Sequence, residues 1–415
     1  MSDLEAYDCV VVGGGPAGAT AAQDLAVKGY SVLLLDKGGR VKPCGGAIPP
    51  RLLRDFDVPP AMLVATVNAA CIVSPSERRV DMPIDGNGYV GMVDREPFDE
   101  WLRQRAVASG AARMTAQYET LTRNSTGQAV VTFTQASGTQ ASGDGRAERR
   151  SVSVTARAVI GADGALSMVA KQTLPAAKKA QFVFAYHEII RAPQPGPLAN
   201  GKVAAGTFNA KRCDVYYDGR LSPDFYGWVF PHGATVSVGT GSAIKGFSLR
   251  DAVGDLRRVS GLTDVETIRR EGAPIPLKPL KRWDNGRDVV VAGDAAGVVA
   301  PASGEGIYYA MFSGRLAADA VGEFLETGDA RALGQARRRF MKAHAKVFWV
   351  LGVMQRVWYR NDARRERFVS ICADKDVQSL TWQSYMHKEL TRTRPLAHVK
   401  IFFKDLAHLV GLVPP

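Results

Sequence analysis

The chain has 415 residues, 46% of them hydrophobic and 23% charged, which is too long for a single growing core and too apolar for disorder, so two or three cooperating globular domains are expected. A formal net charge of +12 favours an anionic partner without choosing among a phosphate-bearing substrate, an acidic lipid surface and nucleic acid, although no zinc-finger spacing, RNP-like segment or basic zipper supports nucleic acid. Five widely separated cysteines without a Cys-x-x-Cys pair exclude a disulfide scaffold; they read as reduced thiols of a cytosolic protein, and no metal site is expected.

The acidic N-terminus shows no secretory signal, and no apolar run is long enough to span a bilayer. Residues 9–12 form a short apolar run closed by glycines, 16–28 an Ala-rich helix stopped by Gly29, and 31–35 a second apolar run, which gives strand, turn, helix, strand. A helix is predicted over 97–109, with Phe98, Leu102 and Val107 near one face around Asp99, Arg103 and Arg105, and Gly110 as its stop. Strands at 129–134 and 151–160 flank a polar Gly- and Ser-rich segment, 137–150, as a hairpin with a long exposed tip. From 182 to 265 the chain is β-rich and aromatic, with strands predicted at 213–217, 226–230 and 235–239. This is the sheet of a second domain, to which 64–92 contributes. An apolar strand at 289–292 leads into glycines and another helix, and from about residue 331 the chain is helical and basic.

Gly13-Gly14-Gly15-Pro16-Ala17-Gly18 fits G-x-G-x-x-G between a strand and a helix, and Asp36 ends the next strand at about the expected 20-residue distance. Gly13, Gly15 and Gly18 let the backbone turn and approach a pyrophosphate, whose charge meets the free N–H groups of the helix start. Asp36 can accept from both ribose hydroxyls and would repel a 2′-phosphate, so FAD or NAD is expected there rather than NADP. Gly161-Ala162-Asp163-Gly164 and Gly293-Asp294-Ala295-Ala296-Gly297 each place a carboxylate at the carboxyl end of a strand, where open α/β sheets bind ligands.

Three such loops in this order resemble the FAD-binding pattern of the para-hydroxybenzoate hydroxylase-like flavoproteins. Asp94-Arg95 before Phe98-Asp99-x-x-Leu102 matches that group as well, and the resemblance implies that Arg95 contacts the flavin nucleotide. Lys37, Cys44, Gly45, Asp163, Gly164, Gly293 and Asp294 join the expected FAD site, and Gly304 and Gly306 bring backbone N–H groups to the flavin's pyrimidine edge. No second G-x-G-x-x-G opens a βαβ unit, so a nicotinamide donor, NADPH, is expected to visit transiently. The expected fold is α/β: a Rossmann-type FAD-binding domain (1–63, 93–178, 280–330), an inserted mainly antiparallel substrate-binding sheet (64–92, 179–279) and a helical C-terminal region (331–415).

Two segments speak to chemistry. Pro43-Cys44-Gly45-Gly46-Ala47-Ile48-Pro49 resembles the Cys-Gly-Gly segment of the geranylgeranyl reductase family, above all its photosynthetic branch acting on chlorophyll or bacteriochlorophyll. Tyr226-Gly227-Trp228-Val229-Phe230-Pro231 resembles that family's Tyr-x-Trp-x-Phe-Pro strand. The Trp-x-Trp-x-Ile-Pro motif of flavin halogenases is absent, and Gly297 stands where aromatic hydroxylases commonly have His. The resemblance covers about the first four fifths of the chain.

It implies that an FAD reduced by NADPH passes hydride to a C=C of a geranylgeranyl group on a pigment or diphosphate, with Cys44, Tyr226 and Trp228 at the reacting bond. Tyr226, Trp228, Phe230 and Pro231 are expected along the substrate's path, although a sheet core uses the same residues. An isolated alkene needs a nearby proton donor, and Cys44 either fills that role or shapes the turn. The alternatives are a flavin monooxygenase on an apolar substrate and a flavin-binding docking protein without turnover. A geranylgeranyl substrate also implies peripheral contact with the cytoplasmic face of a photosynthetic membrane. The apolar stretch 347–354 between basic flanks and an apolar face over 399–410 are the candidate contacts, and packing against the protein body explains them equally.

Overall fold

A computed structural model of the chain describes residues 4–39, 41–86, 88–136, 149–193 and 208–388. Strand β1 (Ala6–Val12) carries Cys9, Val10, Val11 and Val12, all buried; a run apolar on both faces belongs in the middle of a parallel sheet. It feeds α1 (Pro16–Val27), where Pro16 pre-sets the φ of a first helical residue, and Gly29, at φ +86°, turns the chain into β2 (Val32–Asp36). Strand β3 (Ala47–Ile48) and helix α2 (Pro50–Asp55) precede β4 (Leu63–Val67), β5 (Ala69–Val73), β6 (Arg79–Pro83) and β7 (Val90–Val93).

Helix α3 (Arg95–Ala108) is capped by the Asp94 carboxylate, which accepts from the Glu96 N–H, and the chain turns at Gly110 with φ +106°. Its buried face is Arg95, Phe98, Asp99, Leu102 and Ala106. Val107, which the sequence places beside Phe98, is 45% exposed; the inner face instead holds a paired arginine and aspartate. An antiparallel meander follows: β8 (Ala112–Arg123), β9 (Ala129–Ala136) and β10 (Arg149–Gly161). Of the tip expected at 137–150, only Arg149 and Arg150 are among the described residues, and they begin β10.

Next come α4 (Met168–Thr173), β11 (Phe182–Arg191), β12 (Arg212–Tyr216), β13 (Gly227–His232), β14 (Thr235–Ser242), α5 (Leu249–Val259), β15 (Thr267–Pro276) and β16 (Val289–Val291). The glycines predicted after β16 form a single 3₁₀ turn, Gly293–Ala296, closed by Gly297 at φ +80°. The helix itself, α6 (Ile307–Thr327), begins only after the 301–306 loop. The last elements among the described residues are α7 (Gln335–Trp358), α8 (Asp362–Ile371) and α9 (Lys375–His387).

Five strands pair in parallel in the order β16-β10-β1-β2-β8, and β9 bridges β8 and β10 antiparallel. A second sheet runs β15-β11-β14-β13-β12-β5-β6, antiparallel except at β12–β5, and β3, β7 and β4 form a small third one. The expected α/β class with a largely antiparallel second sheet and a helical C-terminal region is what forms. On the first sheet α1 and α6 cross backbone to backbone. A Cβ on Gly314 would lie 2.2 Å from the Ala17 carbonyl oxygen, so only glycine permits that approach.

The second sheet has two apolar faces. Tyr226 and Trp228 face Trp358, Tyr359 and Val369 of the C-terminal helical region, whereas Val229, Val236 and Val238 face Val253 and Leu256 of α5. No helix among the described residues is long and apolar enough to cross a membrane. In the 347–354 stretch Val347 and Phe348 are buried, while Trp349 is 70% exposed and Val353 follows it on the same exposed face. The 399–410 face lies outside the described residues.

Candidate functional site

The first sheet's three glycine-rich loops meet at the carboxyl ends of β1, β10 and β16. Gly13 N–H donates to the Leu35 carbonyl and Ala162 N–H to the Val12 carbonyl, both at 2.8 Å, which locks the first loop between its neighbours. Gly13 adopts φ +106°, and a Cβ there would lie 2.4 Å from the Ala162 oxygen. Gly18 packs as tightly beneath the turn. Gly15 differs: a Cβ there would meet nothing within 4 Å, because it faces a cleft of about 350 Å³. No side chain caps the start of α1 and no acidic residue occupies its first turn, so its amide hydrogens and positive dipole end face open space. Ala17, Asp36, Lys37, Asp163, Gly164 and Gly293 also line this cleft.

The cleft's carboxylates are each held. Asp36 accepts from Gly14 N–H at 3.3 Å and pairs with Arg103 at 3.3 Å. Arg103 also contacts Glu100, which in turn takes a two-pronged bond from Arg113 at 2.7 and 2.9 Å. That hydrogen bonding, from Arg113 first and Arg103 next, draws the Glu100 carboxyl down to about 2. Asp294 pairs with Lys42, which reaches over from the loop after β2. Asp163 accepts from Ser167 and from the Met168 and Val169 N–H groups, at 2.6 and 3.2 Å for the two amides, and so organises the start of α4. Burial pushes its carboxyl above the ordinary range despite those bonds.

Arg95 is 5% exposed and grips Asp99 with two bonds of 2.9 and 2.7 Å. Burial pulls its guanidinium down, but Asp99 and then Cys44 more than reverse the effect, so it stays charged. Cys44 is half-buried and accepts at Sγ from Gly46 N–H at 3.4 Å. The sulfur therefore has a cation and an amide donor beside it.

The cleft continues into a second recess of about 100 Å³; Pro16, Lys42, Arg95 and Asp294 line both. Cys44, Gly45, Gly304 and Gly306 form its rim and Trp228 its wall. Tyr226 stacks on Phe225 and donates to the Ser303 carbonyl at 2.6 Å, which fixes the loop that carries Gly304. Phe230 packs under Gly45, where a Cβ would come within 3.2 Å of its ring. Pro231 lies one residue on, on the opposite face of β13 with Val229. The residues thus fit a dinucleotide: a Cβ-free turn and helix start for a pyrophosphate, a carboxylate at one end, and a flat aromatic-walled recess at the other.

A profile described as pyridine nucleotide-disulphide oxidoreductase matches residues 7–195. A protein of Rhodobacter capsulatus named geranylgeranyl diphosphate reductase is 54% identical over 99% of this chain and 99% of its own length. The chain belongs to the geranylgeranyl reductase family. The chloroplastic geranylgeranyl diphosphate reductase of Nicotiana tabacum is 37% identical, with 96% of this chain and 85% of that protein covered. Among solved structures, a geranylgeranyl bacteriochlorophyll reductase-like protein from Thermoplasma acidophilum superposes with a TM-score of 0.75 at 22% identity, over 98% of each chain, and shares the fold. A flavin-dependent brominase, at 16% identity and a TM-score of 0.68 over 97% and 99% of the two chains, shares it too.

Two features of this family member go beyond the motifs. Arg103 continues the four-residue spacing of Arg95 and Asp99 on α3, a signal that marks one helix face turned to the cleft. The other feature has no local signal. His187 on β11 is paired in register with Gly239 of β14 and Glu271 of β15. Its Nε2 lies 2.9 Å from Glu271 and its Nδ1 2.9 Å from the Ser237 hydroxyl, which also accepts from Trp228 Nε1 at 3.0 Å.

Proposed function

We propose that this protein is an FAD-dependent geranylgeranyl reductase that saturates double bonds of a geranylgeranyl group to give phytyl, on bacteriochlorophyll, on chlorophyll or as the free diphosphate. NADPH is the proposed reductant. The observation that carries this reading is the continuity of the dinucleotide cleft with a recess bounded by Cys44 and Trp228, in a chain alike over its full length to a geranylgeranyl diphosphate reductase.

When bound, FAD supplies the hydride for the alkene. Asp36 holds the adenosine ribose, the α1 start the pyrophosphate, Asp294 the ribityl chain, and the backbone at Gly304 and Gly306 the flavin's pyrimidine edge. Trp228 offers an isoprenoid chain a flat apolar surface, and Tyr226, its phenol kept protonated by burial, anchors the loop beside it. Cys44 gives the proton that completes saturation, and Arg95 with Gly46 N–H stabilises the sulfur it leaves behind. The strands of residues 64–92 and 179–279 form the substrate's domain, and 1–63, 93–178 and 280–330 the flavin's. Exposed Trp349 and Val353, in a helix rich in arginine and lysine, make a peripheral contact with anionic lipid at the cytoplasmic face.

Anaerobic incubation with NADPH and geranylgeranyl diphosphate or geranylgeranyl-pigment, followed by mass spectrometry of the tail, tests this. Stepwise gain of hydrogen supports it. A strict need for oxygen with a hydroxylated product establishes the monooxygenase alternative instead.

A further inference from the structure

Each alkene saturation consumes one proton, and the Cys44 thiol holds only one. Successive reductions therefore require a route by which Cys44 is reloaded.

A third recess of about 90 Å³ lies behind Cys44, and Cys44 and His187 line both this recess and the one at the flavin end. Its size exceeds the roughly 10–15 Å³ that one water needs. Glu271, Arg269, His232, Arg95, Lys42, Asp94 and Thr235 complete its polar lining. Trp228 Nε1 can only donate, so Ser237 Oγ accepts from it. The Glu271 carboxylate can only accept, so His187 Nε2 carries the proton they share. A neutral His187 ring then accepts at Nδ1 from the Ser237 hydroxyl, and an imidazolium donates to it there. Glu271 is raised by burial but held below the ordinary carboxylate range by His187 and Arg269. Arg269 is 37% exposed at its side chain and pairs with Glu271 at 2.7 Å, so the outer end of this chain touches solvent.

We propose that the His187–Glu271 pair is a proton-loading device that recharges Cys44 between alkene reductions, acting through the recess behind it. This rests on the reductase reading with Cys44 as donor. In each cycle a hydride reaches one alkene carbon, the Cys44 proton goes to the other, and the thiolate recovers a proton from the pair, which regains it from solvent. The charged groups facing His187 are Glu271 and Arg269 from β15, Lys42 from the loop before Cys44, Asp94 and Arg95 at the α3 start, and His232 at the end of β13.

The test uses flavin-loaded full-length protein, geranylgeranyl diphosphate and anaerobic stopped flow. In His187→Gln, NADPH still reduces the flavin and the first alkene is saturated by a thiol already loaded, while later turnovers slow by about 10-fold or more and partly reduced tails accumulate. Glu271→Gln keeps the hydrogen-bonding shape but removes the carboxylate that holds the His187 ring proton, so its later turnovers slow relative to the first as well. It also stands in if the histidine variant does not fold. Equal first and later turnovers in both variants overturn the proposal. A Cys44→Ala protein with normal turnover overturns it together with the donor role, and a wild-type flavin that geranylgeranyl diphosphate never reoxidises overturns the reductase reading itself.

Discussion

Gly239→Ala joins the second sheet's packing to the site in one substitution. A Cβ at that position would lie 2.3 Å from Trp228 Cζ2 and 2.5 Å from His187 Cβ, whereas ordinary contact begins at 3.4 Å. The Trp228 ring and the His187 side chain must therefore give way by about 1 Å beside a strand buried from Val236 to Ser242. Overpacking of that kind costs about 1–3 kcal/mol, and losing the Trp228–Ser237 bond adds about 1 kcal/mol, so the expected destabilisation is about 2–4 kcal/mol. Urea denaturation should show a lower midpoint at unchanged slope. Because Trp228 walls the recess, anaerobic stopped flow should also show slower reoxidation of reduced flavin by geranylgeranyl diphosphate. A variant that matches wild type in both midpoint and reoxidation rate would refute the placement of Trp228 across Gly239.

Asp36→Ala should weaken FAD binding by about 1.5–3 kcal/mol, roughly 10- to 150-fold, as read by fluorescence titration of the apoprotein. Glu100 is drawn down to about 2 by Arg113 and Arg103. Its contribution to stability is complete above its usual value of 4.5 and is lost as pH falls toward 2, so Glu100→Gln should flatten that part of an unfolding-midpoint-versus-pH curve. Replacing Trp349 and Val353 by Ser should reduce co-sedimentation with anionic vesicles while leaving the denaturation midpoint in place; undiminished binding would remove this helix face from the membrane contact.

The elements most legible in the sequence are those whose signal is local. The glycine turn, Pro16 and Asp36 lie within one strand-turn-helix-strand unit, and their spacing alone determines what they do. The aromatic triplet was readable as one strand face because alternation is local too, and that alternation turns Pro231 away from Trp228. Helix α3 was legible in extent and at the buried Phe98 and Leu102, but not in the rest of its inner face. Apolar periodicity favours Val107, whereas tertiary packing buries the Arg95–Asp99 pair beside the cleft and leaves Val107 exposed. The glycines after β16 and the helix beyond them were legible too, although the sequence did not show that Gly297, in the left-handed region, closes a four-residue turn and delays that helix to Ile307.

What could not be read is register. His187 and Glu271 are 84 residues apart, and Ser237 and Trp228 reach His187 only because β13, β14, β11 and β15 are aligned at one particular offset. A slip of one residue would turn His187 to the other face of the sheet. The same holds for charge. Asp36, Asp99 and Asp294 lie near where an anionic cofactor must enter, and each is answered by a cation: Asp36 and Asp294 by Arg103 and Lys42 from other segments, and Asp99 by Arg95 one helical turn before it. All three cations line the cleft. The glycine loops shape a space for a dinucleotide, and these arginines and this lysine make that space electrostatically tolerable for a pyrophosphate between three carboxylates.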